Sequence, residues 1–195
     1  MTQELRRRPG GRSAEKRAAV LSAALDLLAH GGPDAVTVAA VAARAGVHET
    51  SIYRRWGTRE RLLLEAMAGL SSNLLPIPDA GTLREDLIAF GQSLRAYVES
   101  DLGKALTRIL ASNDDDEATS QVRTDFWDAR WAECKTIVER AVARGEVPAA
   151  VDGRFLLEVF VAPIHTRTLL TREPVTTELL GALADVAIEG VARTA

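Results

Sequence analysis

The chain has 195 residues and is 47% apolar, enough to close one sizeable core or two small ones, which excludes disorder over most of its length. Its single cysteine, Cys134, excludes an intramolecular disulfide framework and any thiolate metal cluster, and points to a reducing compartment. The formal charge of −3 conceals an asymmetry: residues 1–61 hold eleven basic against six acidic side chains, residues 62–195 thirteen against twenty-one, so only the front suits a polyanion.

The opening MTQELRRRPGGR is read as a flexible basic arm over residues 1–12. The next stretch, SAEKRAAVLSAALDLL, mixes Glu, Lys, Arg and Asp into the apolar residues, unlike an export signal. No run approaches the roughly eighteen apolar residues that span a bilayer. The expectation is a cytoplasmic protein with no membrane partner.

From Ser13, a candidate N-cap, Leu21, Ala24, Leu25 and Leu28 recur at i, i+3, i+4 and i+7 until His30-Gly31-Gly32-Pro33 stops the pattern, predicting a first helix. Thr37 caps a short second helix carrying Val38, Val41, Ala42 and Ala45, and Gly46 ends it where a left-handed backbone is favoured. A third helix, His48 to Trp56, comes after a turn of about three residues, the length found in helix-turn-helix units. Thr58 caps a fourth helix running to about Leu75, closed by Pro76-Ile77-Pro78.

The remainder predicts helices over 80–100, 102–112, 117–145, 152–171 and 176–193. Their breaks are Asp101, the acidic run 113–116, the stretch Gly145 to Pro148, and Glu173-Pro174. The acidic run lacks the spaced ligands and glycine of a calcium loop and reads as a cap complementing the next helix dipole. The fold class is all-α, with a three-helix front over 13–60 and a helical bundle over 61–195.

The third helix carries the most specific pattern. Ile52 and Trp56 are four apart and share one face, which must turn inward. Thr50 and Arg54 point the opposite way, with Ser51 and Tyr53 on the flanks. Nine residues rise roughly 13 Å in total, a cylinder that fits a major groove about 12 Å wide. In the first turn of the fourth helix, Arg59 and Arg61 oppose the helix dipole, a conflict that a phosphate at the helix start would relieve.

The stretch ALDLLAHGGPDAVTVAAVAARAGVHETSIYRRWGTRERLLLEAM, within Ser13 to about Ala68, resembles the N-terminal DNA-binding domain of the TetR family of bacterial transcription regulators. The matching elements are the Gly-rich end of the first helix, Thr37, Ala45-Gly46, Ser51-Ile52-Tyr53 and the sequence YRRW with a basic residue three past the Trp. The resemblance implies that His48 to Trp56 is the recognition helix and that Tyr53 and Arg59 hold phosphates. It also implies that Glu49, Thr50, Ser51, Arg54 and Arg55 lie at or near bases, with Thr37 on the DNA backbone. Three positions depart from the family pattern: Glu49 where a basic or polar residue is frequent, Arg59 where Lys is usual, and His48 where a capping Ser is common. Glu49 either accepts from a cytosine amino group or repels DNA.

For the rear, the resemblance extends to architecture and implies a ligand-binding and dimerisation domain. Leu156, Val159, Phe160 and Pro163, and then Leu179, Leu183, Val186 and Gly190, form apolar stripes that are candidates for a homodimer surface, an internal core being the alternative. Phe90, Tyr97, Phe126, Trp127, Trp131 and Phe160 are candidates to line an apolar effector pocket, with Arg108 and His165 as polar anchors; plain core is the alternative reading. The expected partners are a palindromic double-stranded operator, a small-molecule effector and a second copy of the chain. His30, His48 and His165 are too scattered for a metal site, and no cofactor is expected. Of the two rival functions, an enzyme lacks any GxSxG, HExxH, P-loop or dinucleotide-binding pattern. The other, a sequence-neutral DNA-packaging protein, would differ by failing to prefer a specific operator over bulk DNA.

Overall fold

The computed structural model describes residues 11–110 and 117–192; the first ten residues of the arm expected over 1–12 and the acidic run 113–116 lie outside them, as does the side chain of Arg108, while positions 11 and 12 belong to the first helix. Among the described residues every regular element is helical: α1 Gly11–Ala35, α2 Val38–Ala45, α3 Glu49–Trp56, α4 Arg59–Leu74, α5 Leu83–Glu99, α6 Asp101–Leu110, α7 Glu117–Arg144, α8 Gly153–His165 and α9 Thr177–Ala192, with a π-helical segment Thr166–Thr171 after α8. None of these helices is long and apolar enough to cross a membrane.

The front is built from caps and short amphipathic faces. Gly32 breaks α1 at φ 71°, ψ −174°, a combination open essentially only to glycine. The Thr37 hydroxyl accepts from the Ala40 N–H at 3.1 Å, and Gly46 closes α2 at φ 64°, ψ 37°, so α2 is fixed at both ends by residues that could do little else. Thr58 caps α4 by accepting from the Arg61 N–H. No side chain caps α3; His48 supplies only its carbonyl, which accepts from Ser51 N–H at 2.9 Å. Glu49 sits in the first turn of α3, where its carboxylate complements the dipole that His48 leaves unopposed.

In the rear, α5, α7, α8 and α9 pack together, and α6 leans on α4 and on α1 of the front. The α4–α5 connection is pinned by ionic contacts: Arg140 donates to the Pro78 carbonyl at 2.6 Å and pairs with Asp79 at 2.9 Å. Asp86, fully buried, accepts from the Ala80 N–H at 2.6 Å and from Arg144 at 3.3 Å. A buried carboxylate is tolerated only when its lone pairs are met this way.

The structure departs from three sequence expectations. Leu156 and Phe160 are completely buried within the protomer and cannot form a surface between copies. A Cβ on Gly91 of α5 would stand 2.9 Å from Phe160 Cζ and 2.8 Å from Leu180 Cδ2, which shows how tightly Phe160 is held between α5 and α9. It is core, and it does not line the cavity either. The uninterrupted helix expected over 152–171 also changes character: Pro163 removes one helical N–H, and after His165 the chain widens into the π-helical segment, ending at Arg172 with φ 57°.

Candidate nucleic-acid interface and effector cavity

On α3 the inward and outward faces separate as the periodicity predicts. Ile52 and Trp56 are 1% and 4% exposed. Glu49, Thr50, Tyr53, Arg54 and Arg55 are exposed and Ser51 is partly so. The inward face is fixed by more than apolar contact: the Trp56 indole N–H donates to Glu65 Oε2 at 2.7 Å, and the other oxygen of Glu65 accepts from Arg17 Nε at 2.6 Å. One carboxylate on α4 thereby ties α3 to α1, and this orientation leaves Tyr53 52% exposed.

The basic residues then differ in what they are free to do. The Arg55 guanidinium lies 5.5 Å from the centroid of the Trp56 ring, a cation–π geometry. Arg54 has no hydrogen bond or ion pair with any described residue. Arg59 is turned inward: its Nε donates to the Val36 carbonyl and Nη1 lies 3.2 Å from Glu60, leaving the side chain 33% exposed. It therefore holds the α1–α2 corner immediately before Thr37, a role that sequence spacing does not reveal. Beside α3, Ser13, Lys16 and Arg17 of α1 face Ser51, Arg54 and Arg55 across a polar groove, so α1 adds Lys16 to the basic surface.

In the rear, Phe90, Tyr97, Phe126, Trp127, Trp131 and His165 surround one cavity of about 300 Å³. Trp127 and Trp131 stack with centroids 6.1 Å apart, and Phe126 meets Trp127 edge-on at 5.3 Å. The same cavity is lined by Arg130, which sequence reasoning missed. Arg130 is 7% exposed, donates to the Leu75 carbonyl at 3.0 Å and to Glu133 at 2.8 Å, and covers the Phe90 ring at 5.5 Å. A signal for it was present, because Phe126, Arg130, Cys134, Val138 and Ala141 form a helical stripe on which the arginine occupies an otherwise apolar position. Leu106 and Thr107 of α6, and Leu169 of the π-helical segment, also line it.

Burial pushes the Tyr97 hydroxyl up to about 12, against the opposing field of Arg130, and raises the Cys134 thiol. His165 is lowered from 6.5 by burial, partly offset by its hydrogen bond to the Val161 carbonyl. A histidine with a depressed folded value is favoured neutral, so the unfolded chain binds its proton more readily. Its contribution is complete above about pH 6.5 and lost as pH falls toward the folded value. Between pH 7.5 and 5.5 the unfolding midpoint of the native chain should thus fall more steeply than that of His165→Gln. Parallel slopes would show that the imidazole is not desolvated.

Residues 20–66 match the family model for bacterial regulatory proteins of the tetR family, and residues 77–187 match the model for the tetracyclin repressor-like C-terminal domain. Among curated relatives, the HTH-type transcriptional regulator AqdR of Rhodococcus erythropolis is 34% identical over 154 residues, covering 79% of this chain and 74% of its own. The DNA-binding transcriptional repressor TetR of Mycobacteroides abscessus is 30% identical over 176 residues, covering 89% and 92%. The crystal structure of the TetR family transcription regulator SCO0332 superimposes with a TM-score of 0.79 at 27% identity, covering 91% of this chain and 98% of the other. The chain belongs to the TetR family and is a DNA-binding transcriptional regulator.

Proposed function

We propose that the protein is a homodimeric repressor that reads a palindromic operator through α3 and releases it when a small molecule fills the cavity of the rear domain. The observation that carries the DNA reading is Arg54, exposed on the outward face of α3 and without a partner among the described residues of its own chain. A guanidinium so placed suits the O6 and N7 acceptors of guanine. Thr50, Ser51 and Arg55 flank it, Tyr53 and Thr37 suit phosphates, and Arg59 acts by setting the corner that presents Thr37.

The sensor reading rests on α6. This helix lines the cavity with Leu106 and Thr107 and also abuts α1 and α4, so a ligand that displaces α6 biases the front domain's orientation. Release then needs only that the ligand prefer the form whose recognition helices are wrongly separated. Residues 13–60 and 61–195 are the two functional units in this scheme.

Footprinting on the DNA flanking the protein's own gene, with bulk DNA as competitor, tests it: a true operator should outcompete by at least about a thousandfold. Arg54→Ala should cost about 1 to 3 kcal/mol of operator affinity and relax preference at one base step. Arg59→Ala should weaken all sequences alike. Unchanged operator affinity in Arg54→Ala would mean that α3 does not read bases.

A further inference from the structure

The cavity walls constrain its occupant beyond size. Five of the chain's nine aromatic side chains, Phe90, Tyr97, Phe126, Trp127 and Trp131, line it. Beside six aliphatic side chains of the same lining, the stacked Trp127–Trp131 pair and the edge-on Phe126 offer a ring the stacking and edge contacts that an aliphatic chain cannot use.

Its polar side is small and one-signed. Among the described residues no Asp or Glu lines the cavity, whereas Arg130 does. Arg130 spends one terminal nitrogen on the Leu75 carbonyl and the other on Glu133, whose carboxylate is 40% exposed and lies outside the lining. Tyr97 is only 8% exposed, and its hydroxyl has no hydrogen-bond partner among the described residues. The hydroxyl is not among the described polar atoms sealed from solvent without a partner, so it stays open to a group that enters the cavity. The positive field of Arg130 reaches both Tyr97 and Cys134, opposed at Cys134 by that of its ion-pair partner Glu133, so the Tyr97 hydroxyl stands on the electropositive side of the cavity. His165, at the end of α8, is held toward its neutral form by burial and adds no charge to compete.

We infer that the effector is a small planar aromatic compound carrying one anionic or strongly accepting oxygen group, seated with its ring on the Trp127–Trp131 wall and its oxygen toward the Tyr97 hydroxyl and Arg130. A cationic lipophile is disfavoured, because no described carboxylate lines the cavity to meet its charge and Arg130 repels it. This inference rests on the sensor reading of the same cavity.

Three probes of equal ring size separate the possibilities: 2-naphthoate, naphthalene and 2-naphthylmethylammonium, each titrated into the full-length protein while tryptophan fluorescence and the thermal midpoint are monitored. Naphthoate should bind at least about tenfold more tightly than the ammonium, as a charge-assisted hydrogen bond predicts. Tyr97→Phe, which keeps the ring and removes the donor, should weaken naphthoate by roughly tenfold and leave naphthalene unchanged. Arg130→Lys retains the charge and should preserve the order of the three probes. If the ammonium binds as well as the carboxylate, or Tyr97→Phe leaves naphthoate affinity intact, the proposed class is overturned while the cavity stands as a ligand site. If none of the three binds up to its solubility limit, the class falls together with the sensor reading.

Discussion

Gly103→Ala should lower the thermal unfolding midpoint by roughly 6 to 12 °C, corresponding to a loss of about 3 kcal/mol in a chain of this size. A Cβ at Gly103 would stand 2.0 Å from the Tyr97 carbonyl oxygen, 2.7 Å from its carbon and 2.9 Å from Val98 Cα. All three are backbone atoms, so no side-chain rotation relieves the clash and α6 must lift away from the end of α5. Lifting it strains the corner that Ser100 builds, where the Ser100 hydroxyl donates to the Tyr97 carbonyl at 2.6 Å and accepts from the Gly103 N–H at 3.0 Å. The consequence reaches function, because α6 is the element that touches both the cavity and the front domain. Gly69→Ala is the control: among the described residues no atom outside its own helical turn and chain neighbours lies within 4 Å of a Cβ there, and inside α4 the substitution should be neutral or stabilising by up to about 1 kcal/mol. Equal midpoints for the two variants would show that the α5–α6 corner has slack that its geometry denies.

How much of this is legible in the sequence depends on the range of the interaction. Thr37, Gly46 and Thr58 act within four residues of themselves, so the limits of α2 and the start of α4 can be read directly. The facing of α3 is equally readable, since Ile52 and Trp56 leave one way for a short amphipathic helix to turn. Arg59 is not, because the same residue type at a helix start serves a phosphate or a carbonyl, and the Val36 carbonyl that it meets lies twenty-three positions away. On α8 the stripe of Leu156 and Phe160 is visible as apolar, but this helix is apolar on two faces. Periodicity locates both without saying which belongs to the protomer's own core. Phe155, 51% exposed, marks the other face and lies just outside the stripe of Leu156, Val159, Phe160 and Pro163. Arg130 escapes notice because a charge on a helix is ordinarily a solvated one, and only its neighbours in the same stripe argue otherwise.

That second face leads to the other large effect. Val186 is 63% exposed on α9 and Phe155 is 51% exposed on α8, while Val159, Pro163, Leu179 and Leu183 are half-buried on the same two helices. With Leu156 and Phe160 removed from the candidate surface, these residues remain as an apolar stripe at helical spacing on each of two helices that pack together, with Gly190 exposed further along α9. Val186→Glu should leave the protomer's own fold within about 0.5 kcal/mol, since the side chain meets little of its own chain. In a two-fold interface the substitution enters twice, and burying two carboxylates without partners is strongly unfavourable. Light scattering should then show the mass falling from dimer to monomer. Operator affinity should drop by roughly a hundred- to ten-thousandfold, because the second recognition helix is no longer delivered to the next major groove about 34 to 36 Å away. The isolated α3 surface is untouched in this variant, so residual binding should retain the base preference of the native protein while losing its dependence on half-site spacing. A Val186→Glu protein that remains dimeric would move the interface off α8 and α9. One that becomes monomeric yet binds the full operator unchanged would separate dimerisation from DNA reading.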